Sequence, residues 1–200
     1  MKRCVSLLAL LLLVSVILVS FLQIEIVKAE GTIYIRTDGS VEGTDKIQRD
    51  ENLYTFTGDI YSPIVVEKDD VVVDGAGYSI EGSHTSLAQS PEGIGILVDS
   101  RSDVTISNLT IQHFLYGICI NNSFAIRITN GKITDNGKAI YVENTSDSII
   151  RESQITNNID VGVYVFESSD TNIVNNIIGD NANDGISLVL SSDNTVVSCN

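Results

Sequence analysis

The side chains best suited to chemistry in this 200-residue chain recur at fixed intervals. Asp103, Asp147, Asp170 and Asp193 each follow a Ser, and the last three are equally spaced, with Phe124 in the second slot of the series. If successive repeats stack as strands do, such carboxylates lie ~4.8 Å apart and repel by about 0.9 kcal/mol in water, several-fold more where solvent is reduced. The column must then be solvated or cation-bound. Calcium held by Asp147, Asp170 and Asp193 is one expectation, and a plain turn opened by Ser-Asp is the simpler one. Tyr141 and Tyr164 are a second pair, separated by the same interval. Aromatic faces stack on sugar rings, so these two are the expected carbohydrate contact; the bland alternative is a cross-strand aromatic pair that only stabilises a sheet. Tyr116 and Phe166 extend either reading. Glycosylation sequons begin at Asn108, Asn121 and Asn144; Asn121 and Asn144 fall in turns and are the expected acceptors.

The elements that position these residues follow from a repeat. A small residue followed by an apolar-x-apolar strand recurs at Gly95, Gly117, Ala139, Gly162 and Gly185, in steps of 22, 22, 23 and 23. Asn108, Asn130, Glu152, Asn175 and Ser198 keep the same steps, and Ile111, Ile133, Ile155 and Ile178 follow the first four three residues later. Two markers in one register indicate a solenoid. Alternation places Ile96 and Val98, Ile118 and Ile120, Ile140 and Val142, Val163 and Val165, and Ile186 and Leu188 inside, with Leu97, Cys119, Tyr141, Tyr164 and Ser187 outside. Ile106, Ile128, Ile150, Ile173 and Val196 form a second inward column. β-Branched residues suit a buried pleated surface, and no stretch carries the three-to-four spacing of a helix. The predicted fold is all-β, a single-stranded right-handed parallel β-helix of 22-23-residue rungs. Asn108, Asn130 and Asn175 are expected to point inward as a structural ladder, broken at Glu152, which leaves the Asn108 sequon unavailable.

Residues 1–29 carry Lys2 and Arg3, an apolar run from Val5 to Leu22, and Val27-Lys28-Ala29. This reads as a signal peptide cut after Ala29, with an uncleaved anchor as the alternative and the only route to a membrane association. Residues 30–63 depart from the period and are expected to form an N-terminal β cap over an otherwise open core. Residues 64–200 hold the rungs and stop in the middle of one, so further rungs are expected beyond residue 200. Loss of Lys2, Arg3 and Lys28 against Glu25 takes the net charge from −14 to −16, which disfavours nucleic acid and anionic lipid as partners. Cys119 and Cys199 lie about three and a half rungs apart, roughly 17 Å, beyond disulfide reach.

The run Val71-Val72-Val73-Asp74-Gly75-Ala76-Gly77-Tyr78-Ser79-Ile80, with the later Gly-(Ile/Val)-x-(Ile/Val) and Asn-x-x-Ile units, resembles the right-handed parallel β-helix repeat proteins. That group includes pectin-acting lyases and hydrolases, alginate epimerases and the periplasmic accessory protein of nitrous oxide reductase. The layout of signal, lead-in and rungs is most similar to secreted archaeal surface proteins of the group. The resemblance implies fold more than activity. Neither His84 nor His113 stands in the Gly-His-Gly unit of the hydrolases, Arg127-Ile128-Thr129 lacks the Lys of their Arg-Ile-Lys unit, and the epimerase Asp-Pro-His-Asp unit is missing from the sequence. Two His, two Cys and no Met after residue 29 are too few soft ligands for copper handling.

Two functions follow as expectations. One is a secreted or cell-surface module, without catalysis or cofactor, that presents a rigid flank to a polysaccharide, a surface glycan or a protein partner. The other is a polysaccharide lyase or hydrolase of the pectin-lyase-like fold, with calcium as its candidate cofactor and part of its site beyond residue 200.

Overall fold

Alternating β-branched runs, each too short to form a stable sheet alone, are brought into three long sheets by winding the chain about one axis. The computed structural model describes residues 31–83 and 93–199; the expected leader at 1–29, His84 and Asn200 lie outside them. Sheet 1 contains, in spatial order, Val41–Glu42, Ile33–Ile35, Ile64–Val66, Ile94–Asp99, Tyr116–Asn121, Lys138–Glu143, Val163–Phe166 and Ile186–Val189. Sheet 2 contains Ser79–Glu81, Thr110–Gln112, Lys132–Thr134, Gln154–Thr156 and Ile177–Gly179. Sheet 3 runs Ile47–Asp50, Leu53–Phe56, Val71–Asp74, Val104–Ser107, Arg127–Thr129, Ile149–Arg151, Asn172–Val174 and Thr195–Val197. Each turn passes from sheet 1 to sheet 3 to sheet 2 and back, giving about six turns of a right-handed parallel β-helix. Among the described residues no helix is long and apolar enough to cross a membrane.

The inward columns are those the alternation requires. Ile96, Ile118, Ile140, Val163 and Ile186 are strand partners in succession, as are Ile106, Ile128, Ile150, Ile173 and Val196; on the last described rung, where no further described rung covers them, Val196 and Leu188 are exposed rather than buried. Ile111, Ile133, Ile155 and Ile178 form the third column. The glycine at the start of the sheet 1 strands is forced by close approach at Gly95, Gly117 and Gly162. At Gly117 a Cβ would stand 2.6 Å from the carbonyl oxygen of Ala139 on the next rung and 2.9 Å from Ile133 Cγ2.

Residues 31–63 continue the stack. Ile33–Ile35 pairs parallel with Ile64–Val66, and Leu53–Phe56 with Val71–Asp74, so both continue the columns despite their irregular spacing. Val41–Glu42 and Ile47–Asp50 pair antiparallel onto them at the sheet edges. Buried Tyr54 donates its hydroxyl to the Gly39 carbonyl at 2.9 Å and pins the connecting turn beneath the sheet.

The expected inward ladder of Asn108, Asn130 and Asn175 is not what the structure contains. All three side chains are exposed, and their backbones are left-handed, with φ of 54°, 53° and 56°; Glu152 at 52° and Ser198 at 51° share the column. The period of Asn at this corner encodes a backbone conformation that Asn tolerates and most residues resist. The interior ladders sit one residue on from left-handed corner positions. Asn136 and Asn158 are almost wholly buried. Asn136 Oδ1 accepts from the Phe114 amide at 3.1 Å, Asn158 Oδ1 from the Asn136 amide at 3.1 Å, and Asn181 Oδ1 from the Asn158 amide at 3.1 Å. Their Nδ2 groups donate to Ile111, Ile133 and Ile155 carbonyls at 3.0, 3.2 and 3.2 Å.

A hydroxyl ladder of Ser123, Thr145, Ser168 and Ser191 does the same at another corner. Each oxygen accepts the amide of the residue one rung before and donates to the carbonyl two residues back. Thr129 Oγ1 is the one buried side-chain polar atom among the described residues that lacks a partner.

These two kinds of Asn should respond differently to removal. Asn158→Ala takes the acceptor from the Asn136 amide and a donor from the Ile133 carbonyl and should cost about 2–6 kcal/mol in urea unfolding, at about 1–3 kcal/mol for each buried group affected. Asn130→Ala should cost about 1 kcal/mol for a left-handed Ala, and Asn130→Gly less. Equal losses at the two positions would contradict the register.

Candidate functional site

The outer face of sheet 1 is the flank where the columns cease to be uniform. Leu97, Cys119, Tyr141, Tyr164 and Ser187 form one outward column, as alternation required, and Asp99, Asn121, Glu143, Phe166 and Val189 form its neighbour two residues along each strand. Parallel strands set one rung height between column members, which brings tyrosines a full turn apart in the chain into contact. Tyr141 and Tyr164 have ring centroids 5.5 Å apart and planes within 8°. Tyr164 and Phe166 lie 6.4 Å apart at 18°. Tyr141, Tyr164 and Phe166 are thus three near-parallel, partly exposed rings in series over two neighbouring rungs. Tyr116 meets Tyr141 edge-on at 5.4 Å and 67°.

Polar groups border this surface. Tyr141 donates its hydroxyl to Glu143 Oε2 at 3.1 Å, and burial together with that carboxylate pushes the phenol well above its ordinary pKa. Lys138 pairs with Asp160 across the rung, its ammonium 5.8 Å from the centre of the Tyr164 ring. Asp160 Oδ1 also accepts from Asn183 Nδ2 at 2.6 Å. The Lys138 hydrogen bond first, and the Asn183 one second, hold the Asp160 carboxyl below the usual carboxylate range. A cleft of about 170 Å³ opens between Ile94, Tyr116, Cys119, Asn121, Tyr141 and Glu143. Cys119 is buried at its floor, its thiol 3.5 Å from Asn121 Oδ1, and burial pushes the thiol up to about 11. Cys119 and Cys199 are both free.

Other expected site residues sit elsewhere. Asp147, Asp170 and Asp193 do form a column with Asp103, but all four are exposed and left-handed, with φ of 56°, 53°, 53° and 54°. Ala125, with φ 55°, takes the second slot of that series, and Phe124 instead joins the column of Ser102, Ser146, Ser169 and Ser192. The Asp spacing is thus a corner conformation in solvent, and among the described residues no three His, Cys, Asp or Glu side chains converge to hold a metal. Asn144 is exposed at a corner, its amide donating to Asn122 Oδ1 at 2.8 Å, whereas Asn121 ends a strand and is partly covered. Asn108, expected to be hidden, is exposed and donates to Asp74 Oδ1 at 3.1 Å.

A larger groove of about 300 Å³ follows the corner through Asn144, Ser146, Glu167, Ser169, Leu190 and Ser192. Its buried Thr145 and Ser168 are committed to the hydroxyl ladder, and it offers little apolar surface whose burial would reward a ligand.

A family profile described as the right-handed beta helix region matches residues 70–200. The chain belongs to the right-handed β-helix family. No match was found among curated proteins or among solved structures. Family membership accounts for the shape of this β-helix and leaves its ligand to the flank. Sequence reasoning overlooked Glu143, Lys138 and Asp160 there. Two signals mark them: Glu143 stands two residues beyond Tyr141 on the same strand face, and Asp160 stands one repeat beyond Lys138.

Two outcomes follow from these surroundings. Cys119 should resist a thiol reagent at neutral pH in the folded protein and react on unfolding, since it is both covered and protonated; rapid native labelling would contradict the cleft floor. Because the folded pKa of Asp160 is depressed, its stabilisation is complete above the unfolded value of about 4 and is lost as pH falls through the lower folded value. Asp160→Asn should therefore be less stable than the parent at pH 7 and lose less on acidification to about pH 3, measured by urea unfolding. Parallel pH profiles would remove the ion pair from the account.

Proposed function

We propose that this protein is an exported, non-catalytic β-helix module whose sheet 1 flank binds carbohydrate. The observation that supports the reading most is the aromatic surface of Tyr141, Tyr164 and Phe166, held by strands whose spacing is fixed and bordered by an open cleft. Sugar rings pair apolar faces with rims of hydroxyls, and this flank offers aromatic carbon beside the acceptors Glu143 and Asn121. A rigid β scaffold avoids most of the ordering cost that a loop would incur on binding. Export is supported by the basic, apolar and small-residue succession over residues 1–29.

Retention on a glycan array followed by affinity electrophoresis tests the reading. The parent should be retarded by at least one glycan, and the double variant Tyr141→Ala, Tyr164→Ala should weaken that interaction about tenfold or more, with an unchanged β-sheet circular dichroism spectrum. Retention equal to the parent would remove the two tyrosines. Incubation with acidic polysaccharides, with and without calcium, should release neither unsaturated products nor new reducing ends; turnover would replace the binding module with a lyase or hydrolase.

A further inference from the structure

The charge bordering the aromatic surface is one-sided. Along the column next to the tyrosines stand Asp99, Asn121 and Glu143, with Phe166 on the following rung. Asp99 accepts from Asn122 Nδ2 at 3.0 Å and Glu143 from Tyr141, and neither carboxylate has an ion pair among those of the described residues. The cations near this face are committed. Lys138 is paired with Asp160, Arg36 with Glu42 and Glu67, and Arg101 lies against Asp69 with its guanidinium on the carbonyls of Asp99 and Glu67. The whole chain carries a net charge of −14. A uronate-bearing chain laid on this flank would bring carboxylates onto carboxylates, with each of these cations already engaged.

Resting on the carbohydrate reading above, we propose that the flank selects glycans bearing protonated amino sugars. The sugar face lies on the aromatic surface of Tyr141, Tyr164 and Phe166, and its ammonium donates to the Glu143 carboxylate at the cleft rim. Glu143 is suited to the role because Tyr141 holds it by a single hydrogen bond to Oε2, which leaves further acceptor positions on both oxygens. Asp99, two rungs away and so roughly 10 Å along the same column, supplies a second anchor for a chain running along the solenoid axis. The flank thus discriminates by charge as well as by shape.

Titration calorimetry at low salt and about pH 6 tests this, using glucosamine oligomers, N-acetylglucosamine oligomers of the same length and oligogalacturonate. The parent should bind the glucosamine oligomer about tenfold or more tightly than its acetylated counterpart, the worth of one charge-assisted hydrogen bond, and oligogalacturonate weakest. Glu143→Gln, which keeps the side-chain shape, should reduce that preference, and Glu143→Gln combined with Asp99→Asn should bring the two glucosamine forms to similar affinity, whereas Tyr164→Ala or Tyr164→Leu should weaken both. Asp170→Asn, on another corner, should change neither.

If oligogalacturonate binds best, the charge inference falls and the carbohydrate reading stands. If none of the three probes nor any arrayed glycan binds, both fall. If Asp170→Asn lowers glucosamine binding as much as Glu143→Gln does, the attraction is that of a polyanion for a polycation, and the site is overturned.

Discussion

Parallel stacking in register is the constraint on which everything else in this molecule depends. One turn of the chain cannot bury its apolar face; the next turn buries it only if equivalent residues fall directly above one another, because a slip of one residue sends every inward side chain outward. Columns of Ile and Val, the small residue at Gly117 pressed against the next carbonyl, and the Asn and hydroxyl ladders all express that single requirement. The ladders matter most at corners. There the backbone leaves its strand partners, and side-chain oxygens one rung on accept amides that would otherwise be buried without a partner.

The same constraint shapes the flank. A stacked column repeats whatever residue it is given, so a local feature arises only where a column changes. On sheet 1 the outward column passes from Leu97 and buried Cys119 to Tyr141 and Tyr164 and then to Ser187, and its neighbour passes from carboxylate and amide to Phe166. Those changes put a cleft, an aromatic surface and an acidic border within three rungs. Among the described residues these positions sit on paired strands, so the flank is a preorganised surface whose character is set by a few outward positions.

Much of this was legible in the sequence, and the exceptions have a common cause. Inward and outward assignments of the strands followed from alternation alone, because burial of Ile118, Ile140 and Val163 leaves the strand no other orientation. Corners carry no such signal. Asn108, Asn130 and Asn175 recur for a left-handed φ, and so do Asp147, Asp170 and Asp193; a period shows that a position is special without showing whether its backbone or its side chain is the reason. The interior polar residues lie one place later, at Ser153, Asn176, Ser148 and Thr171, where their mixed identities concealed the repeat. On the flank, Tyr141 and Tyr164 were identifiable as one column, whereas Glu143 and the Lys138–Asp160 pair become visible only when the next column is aligned beside it.

Distance measurements between spin labels test the stacking most directly. Thr105, Arg127, Ile149, Asn172 and Thr195 form one outward column on sheet 3. With one label fixed at Thr105 and the other placed in turn at Ile149, Asn172 and Thr195, the backbone separations should rise in equal steps, to ~10, ~14 and ~19 Å. Unequal steps, or a distance that does not grow from Asn172 to Thr195, would contradict the column and the flank built on it.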